Sequence, residues 1–111
     1  MKDLKINKKI VVNLQIEGIH YWKDCNIKEV EYLKNPHRHT FFIEVHKEVT
    51  HNDRDIEIIM FKNKIINYFG SQPVQFENKS CEDIAEDILY TFKACYVKVL
   101  EDDENGAILE L

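Results

Sequence analysis

The stretch His37–Val45, with the sequence HRHTFFIEV, decides the fold, because its polar and apolar residues alternate as they do in a half-buried strand. The strand is predicted to run from His37 to Val49. In extended backbone His37 and His39 leave the same face, with Cα atoms about 6 to 7 Å apart, and Phe41 continues that face into the core. Both imidazoles can therefore contact a single ion.

A third imidazole is available at His20. It lies in the strand-like run Ile10–Trp22, whose even positions Val12, Leu14 and Ile16 are apolar and share a side with His20. Three neutral histidines with an open fourth position are typical of catalytic zinc, although surface or loop histidines fit the same spacing. His46 and His51 are weaker candidates, since His46 is on the opposite strand face and His51 lies in a polar turn.

Length and composition narrow the class of protein. The 111 residues predict a single domain spanning residues 1–111. The net charge of -5, with Arg38 and Arg54 as the only arginines, argues against a nucleic-acid partner. Three cysteines without C-x-x-C spacing suit a reducing cytosol, and the absence of a long apolar run or a leader predicts a cytoplasmic protein with no membrane partner.

The rest of the chain predicts an α+β domain. Ile56–Phe61 is interpreted as a short third strand, and residues 62–69 as a helix ended by Gly70. Ser80 is a good N-cap for a second helix, whose apolar positions recur at helical spacing. Tyr96–Glu101 and residues 107–111 form a predicted hairpin across the turn at residues 102–106. We expect antiparallel pairing, with both helices on one face of the sheet.

These motifs, in this order, resemble the family of 6-pyruvoyl- and 6-carboxy-tetrahydropterin synthases. His20 and the His37-x-His39 pair match the family's zinc ligands. The segment Glu77–Ala85 resembles its Glu-Asn-Pro-Thr-x-Glu-x-x-Ala motif, and Val97–Glu101 its Val-x-Val-x-Glu strand. The likeness extends from about Val11 to Leu111.

The resemblance implies a tunnelling fold, with a four-stranded antiparallel sheet and two helices in ββααββ order. It implies zinc on His20, His37 and His39, a pterin- or purine-like ligand whose ring is held by Glu101, and a homo-oligomer that is trimer-based or hexameric. The implied pathways are those of queuosine or tetrahydrobiopterin. Without the resemblance, Glu101 is a solvated charge at a strand end.

The departures concern proton transfer. The family's catalytic cysteine, a few residues before His-x-His, is missing, and Cys25 is the nearest substitute. An Asp-His pair between the helices is absent from residues 71–76. General acid–base groups contribute typically about 10²- to 10⁴-fold in rate. Three hypotheses follow: a carbon–oxygen lyase, a non-catalytic protein of the same fold (for example phage-encoded or regulatory) that binds or sequesters a purine-, pterin- or nucleotide-like ligand, and a structural subunit with incidental histidines.

Overall fold

Two long antiparallel strands dominate the computed structural model, which describes residues 4–111. Their alternating apolar side chains bury one face, as the sequence predicted. The elements in chain order are β1 (Lys8–His20), a 3-10 segment (Lys28–Lys34), β2 (His37–Val49), α1 (Ile58–Phe69), β3 (Val74–Glu77), α2 (Cys81–Thr91), β4 (Tyr96–Glu101) and β5 (Asn105–Glu110).

The strands form one mixed sheet in the order β3-β1-β2-β4-β5. The pairs β1–β2, β2–β4 and β4–β5 are antiparallel, whereas β3 pairs with β1 in parallel. The α+β class and the final hairpin are therefore confirmed. Four strands, β1, β2, β4 and β5, pair antiparallel as expected, and the structure adds the short parallel strand β3, most of which lies in the segment 71–76 that the sequence analysis placed between the helices.

The third predicted strand, Ile56–Phe61, is also wrong, because most of it forms the first turn of α1. The Glu57 carboxylate caps this helix by accepting hydrogen bonds from the Ile59 and Met60 amides, both at 3.0 Å. Phe61 and Ile65, four residues apart, face the core. The segment thus buries a helical stripe rather than one strand face.

The core lies between one sheet face and both helices. Its fully buried members include Ile16 of β1, Phe41 and Val45 of β2, and Ile65 and Ile88 of the two helices. The second helix begins as predicted, with a capping box in which Ser80 and Asp83 bond each other's backbone amides. None of the helices within residues 4–111 has the length and apolar composition that crossing a membrane requires.

Candidate metal centre

The antiparallel register of β1 and β2 brings three histidines together at one end of the sheet. His20, the last residue of β1, lies opposite His37, the first of β2, and Gly18 lies opposite His39. One ring nitrogen from each histidine lies within 4.8 Å of the other two. The grouping predicted from sequence is thus present in the structure, and we call these three residues the histidine cluster.

Each ring of the histidine cluster has its Nδ1 bonded to an oxygen atom outside the cluster. The oxygens are a backbone carbonyl or a carboxylate, so Nδ1 is the donor and carries the proton. The contacts are His20 Nδ1 to the Lys79 carbonyl at 2.8 Å, His37 Nδ1 to the Asn35 carbonyl at 2.8 Å, and His39 Nδ1 to Asp102 Oδ2 at 2.7 Å. In the neutral ring this leaves the Nε2 lone pair free, which is how metal-binding histidines are oriented.

Two of these Nε2 atoms are buried and lack a hydrogen-bond partner. They belong to His20, whose residue exposure is 6%, and to His39. A buried polar atom without a partner costs free energy, unless something the structure does not hold satisfies it. A metal ion is such a partner.

Glu101, at the end of β4, lies beside these two atoms. Its Oε2 is 3.1 Å from His20 Nε2, and its Oε1 is 3.6 Å from His39 Nε2. Neither contact is a hydrogen bond, because the His20 contact is poorly aligned and the His39 contact is too long, although both distances suit an ion pair. Glu101 reaches this position because it pairs with Phe41, two residues after His39.

Burial and neighbouring charges shift the pKa of His20 in opposite directions, and the same holds for Glu101. Burial lowers the pKa of His20, but the adjacent Glu101 carboxylate and the Lys79 carbonyl offset this, so the pKa is raised. The contact with His20 lowers the pKa of Glu101 despite its partial burial, and the positive potential of His39 and His37 acts in the same direction. In the metal-free protein, His20 and Glu101 therefore both ionise more readily than they would as free side chains in water.

Cys81 holds Glu101 from the other side, a contact that sequence reasoning missed. The Cys81 Sγ lies 3.7 Å from Glu101 Oε2 and donates to it. Burial, together with the Glu101 charge, raises the pKa of the Cys81 thiol to about 12. The thiol therefore stays protonated. It contacts the Glu101 carboxylate as a hydrogen-bond donor and does not act as a nucleophile.

Asp102 positions His39. Its Oδ2 accepts the His39 Nδ1–H while its Oδ1 accepts the Thr40 amide at 3.0 Å. The residue adopts φ 56°, a left-handed conformation that aspartate tolerates better than most residues. The His39 contact lowers the pKa of Asp102, which keeps it an acceptor. The sequence analysis correctly placed Asp102 in the hairpin turn but gave it no role at the site.

An aromatic floor supports the histidine cluster. The Phe41 ring meets the His20 ring edge to face, with centroids 5.2 Å apart, and packs on Phe76 at the same separation. Gly18 makes room for this packing, since a Cβ there would lie 2.5 Å from the Phe76 ring. The histidines therefore pack against buried aromatic side chains.

A cavity of about 410 Å³ opens beside the cluster. His20, His37 and Glu101 border it, Trp22 and Leu33 supply apolar wall, and α2 contributes its first turn. The volume is within the range of small-molecule sites.

The remaining candidates lie elsewhere. Cys25 is buried in its own loop, where its Sγ faces the carbonyls of Ile27 and Val30 at 3.8 and 3.6 Å, and it is not among the residues that border the cavity. His46 lies on the opposite sheet face, where its Nε2 bonds Glu44, and His51 contacts Asp55 near a turn. Neither joins the cluster.

No protein-family model matches this chain, and no curated protein matches it. The arrangement itself defines what the site can do. Three imidazole nitrogens and a nearby carboxylate are a borderline donor set that suits zinc and related divalent metals.

Proposed function

We propose that this chain is a zinc-binding tunnelling-fold protein, similar to the 6-pyruvoyl- and 6-carboxy-tetrahydropterin synthases, that binds a pterin- or purine-like molecule beside the metal. One observation carries the proposal. Each of the three histidines makes a hydrogen bond through Nδ1 to an oxygen outside the cluster, which leaves the lone pair of its Nε2 free. Two of these Nε2 atoms, in His20 and His39, are buried without a hydrogen-bond partner.

The donor set fits zinc. His20, His37 and His39 would hold the ion, and a bound zinc ion would polarise an oxygen of the ligand. The Lys79 and Asn35 carbonyls and the Asp102 carboxylate fix the tautomers of the three rings. Such outer contacts orient metal ligands and raise their basicity.

The cavity supplies the ligand-binding part of the proposal. Trp22 offers an aromatic surface for a planar ring, while Asn78, Ser80 and Glu101 add polar groups at the wall. An apolar wall with a few polar groups is typical of sites that orient a small molecule.

Binding without rapid turnover is the function that this geometry supports best. The Cys25 thiol faces carbonyls of its own loop, and the Cys81 thiol is held protonated against Glu101. Neither thiol is arranged to take a proton from a ligand at neutral pH. A lyase acting on dihydropterin triphosphate is the second candidate, favoured by Glu101, an ionised carboxylate at the edge of the cavity.

Self-association belongs to the same proposal. The sheet ends in β3 on one side and in β5 on the other, and β5 pairs only with β4 among the described strands. Open strand edges favour pairing with another chain. We expect a trimer-based or hexameric assembly, and light scattering that shows only a 13.2 kDa species would contradict it.

The ligand assay separates the two candidate functions. Zinc-loaded protein is incubated with dihydroneopterin triphosphate, and both the bound compound and released triphosphate are quantified. Unaltered ligand that co-elutes with the protein supports binding. Release of more than one equivalent of triphosphate per protein chain supports the lyase. Trp22→Ala should weaken binding, and Tyr90→Ala, a change at an exposed aromatic residue outside the cavity lining, serves as the control. If neither binding nor release occurs with this compound or with guanine nucleotides, the ligand class is wrong.

A further inference from the structure

Glu101 is placed as a metal ligand is placed, and not only as a wall of the cavity. Two ligands of a tetrahedral zinc ion, each 2.0 to 2.1 Å from it, are about 3.3 to 3.4 Å apart. Glu101 Oε2 lies 3.1 Å from His20 Nε2, and Glu101 Oε1 lies 3.6 Å from His39 Nε2, so each carboxylate oxygen is close to that spacing from one histidine nitrogen. Glu101 therefore lies at ligand-like distances from two of the three histidines.

The environment of Glu101 favours this position. The Cys81 thiol donates to Oε2 at 3.7 Å and thereby holds the carboxylate on the side of the cluster. The two histidine nitrogens nearest to Glu101 are also the two that are buried without a hydrogen-bond partner. A carboxylate beside two unpartnered nitrogen lone pairs is a set of donors that a divalent cation binds.

We infer that Glu101 is the fourth protein ligand of the metal in the ligand-free protein, so that three histidines and one glutamate close the coordination sphere. The inference rests on the proposed zinc site and adds the state of its fourth position. Catalytic zinc sites keep that position open, whereas closed sites are typical of structural metal. A small molecule that needs the metal, or that needs Glu101 for its ring N–H groups, must first displace the carboxylate.

Cobalt(II) tests the inference through a spectrum rather than through activity. Cobalt-loaded wild-type protein should show the intense visible absorption of a four-coordinate ion, and added sodium azide should leave it unchanged because no position is open. The cobalt spectrum of Glu101→Gln should respond to azide, and its zinc affinity should fall by about tenfold or more. Glu104→Gln, an exposed change in the same hairpin turn, should behave as wild type.

The contrary outcome is an azide response in wild-type protein as large as that of Glu101→Gln, which would show an open three-histidine site and overturn the inference. Wild-type protein that takes up no cobalt or zinc would instead refute the proposed metal centre itself. If Glu101→Gln does not fold, the wild-type azide titration still decides, and Glu101→Asp, which withdraws the carboxylate by one methylene, replaces it as the responsive variant.

Discussion

Histidines meet carboxylates on both faces of this sheet, but the ring nitrogen that is left free differs. On the core face, Asp102 accepts the Nδ1–H of His39, and the Nε2 atom stays without a hydrogen-bond partner. On the opposite face, Glu44 Oε2 bonds the Nε2 of His46 at 2.6 Å, while the His46 ring stacks on Tyr96. The first arrangement leaves a nitrogen lone pair available for a metal, whereas the second engages that nitrogen in a hydrogen bond.

The number of imidazoles also separates the two faces. The three histidines of the cluster lie together because the last residue of β1 pairs with the first residue of β2. His46 instead contacts Glu44, which also contacts Lys98. We therefore interpret the His46 contact as a local charge pair and the cluster as a metal centre. Four changes sharpen or break this contrast.

The largest effect is expected from the double variant His37→Ala, His39→Ala. It removes two of the three nitrogen ligands, and zinc content should fall from about one equivalent per chain to background, because His20, even together with Glu101, is too small a ligand set to retain zinc through purification. His46→Ala is the matched control and should keep its zinc. Metal analysis of purified protein measures both, and equal zinc loss in the control would erase the contrast.

The next largest effect is expected from Asp102→Asn. The amide can still accept from His39, but it lacks the charge that makes Nε2 a stronger donor to metal. We expect zinc affinity to fall about 10- to 100-fold, or about 1.4 to 2.7 kcal/mol, in a competition titration with a chromophoric chelator. Asp103→Asn, in the same turn, should change it little, and an unchanged Asp102→Asn affinity would remove the outer contact from the account.

Gly18→Ala tests the aromatic floor beneath the cluster. The new methyl group would stand 2.5 Å from the Phe76 ring and 2.9 Å from the Phe41 ring, so the packing must shift. Overpacking of this kind typically costs about 1 to 3 kcal/mol in the free energy of unfolding. Urea denaturation measures it. Gly70→Ala is a useful contrast, because a Cβ there meets nothing within 4 Å and only the positive φ of 75° opposes it.

The smallest effect concerns pH and the opposite face. The His46 hydrogen bond, and then Lys98, lower the pKa of Glu44 despite its partial burial. Because the folded pKa is below the unfolded one, the stabilisation is present above the ordinary glutamate pKa of about 4.3 and is lost as pH falls through the folded value. Glu44→Gln should therefore lose less stability than wild type between neutral pH and about pH 3, by under about 1 kcal/mol in urea denaturation. Equal losses would show that the pair contributes nothing.

Much of the core face could be predicted from the sequence. The alternation in His37–Val49 identified β2 with its correct bounds, and the same reasoning placed His20 on the matching side of β1. The Ser80 N-cap and the final hairpin were also correct, since both depend on residues close together in the chain. Local periodicity was sufficient for these elements.

The errors arise where distant residues decide. Ile56–Phe61 is an apolar run that fits a strand or a helix, and the Glu57 cap settles it as a helix. Val74–Glu77 is a strand only because β1 offers a parallel edge. The contacts that orient the histidines come from residues 59 and 63 positions away, at Lys79 and Asp102, and no local pattern marks them.

The central claim is that three Nε2 atoms on the core face bind one metal ion. Zinc titration of ¹⁵N-labelled, metal-free protein, followed by long-range ¹H–¹⁵N imidazole spectra, tests it most directly. We predict that one equivalent of zinc shifts the Nε2 resonances of His20, His37 and His39 while each Nδ1 stays protonated, and that those of His46 and His51 do not move. Spectra in which the three Nε2 resonances stay in place, or in which His46 responds instead, would contradict the account.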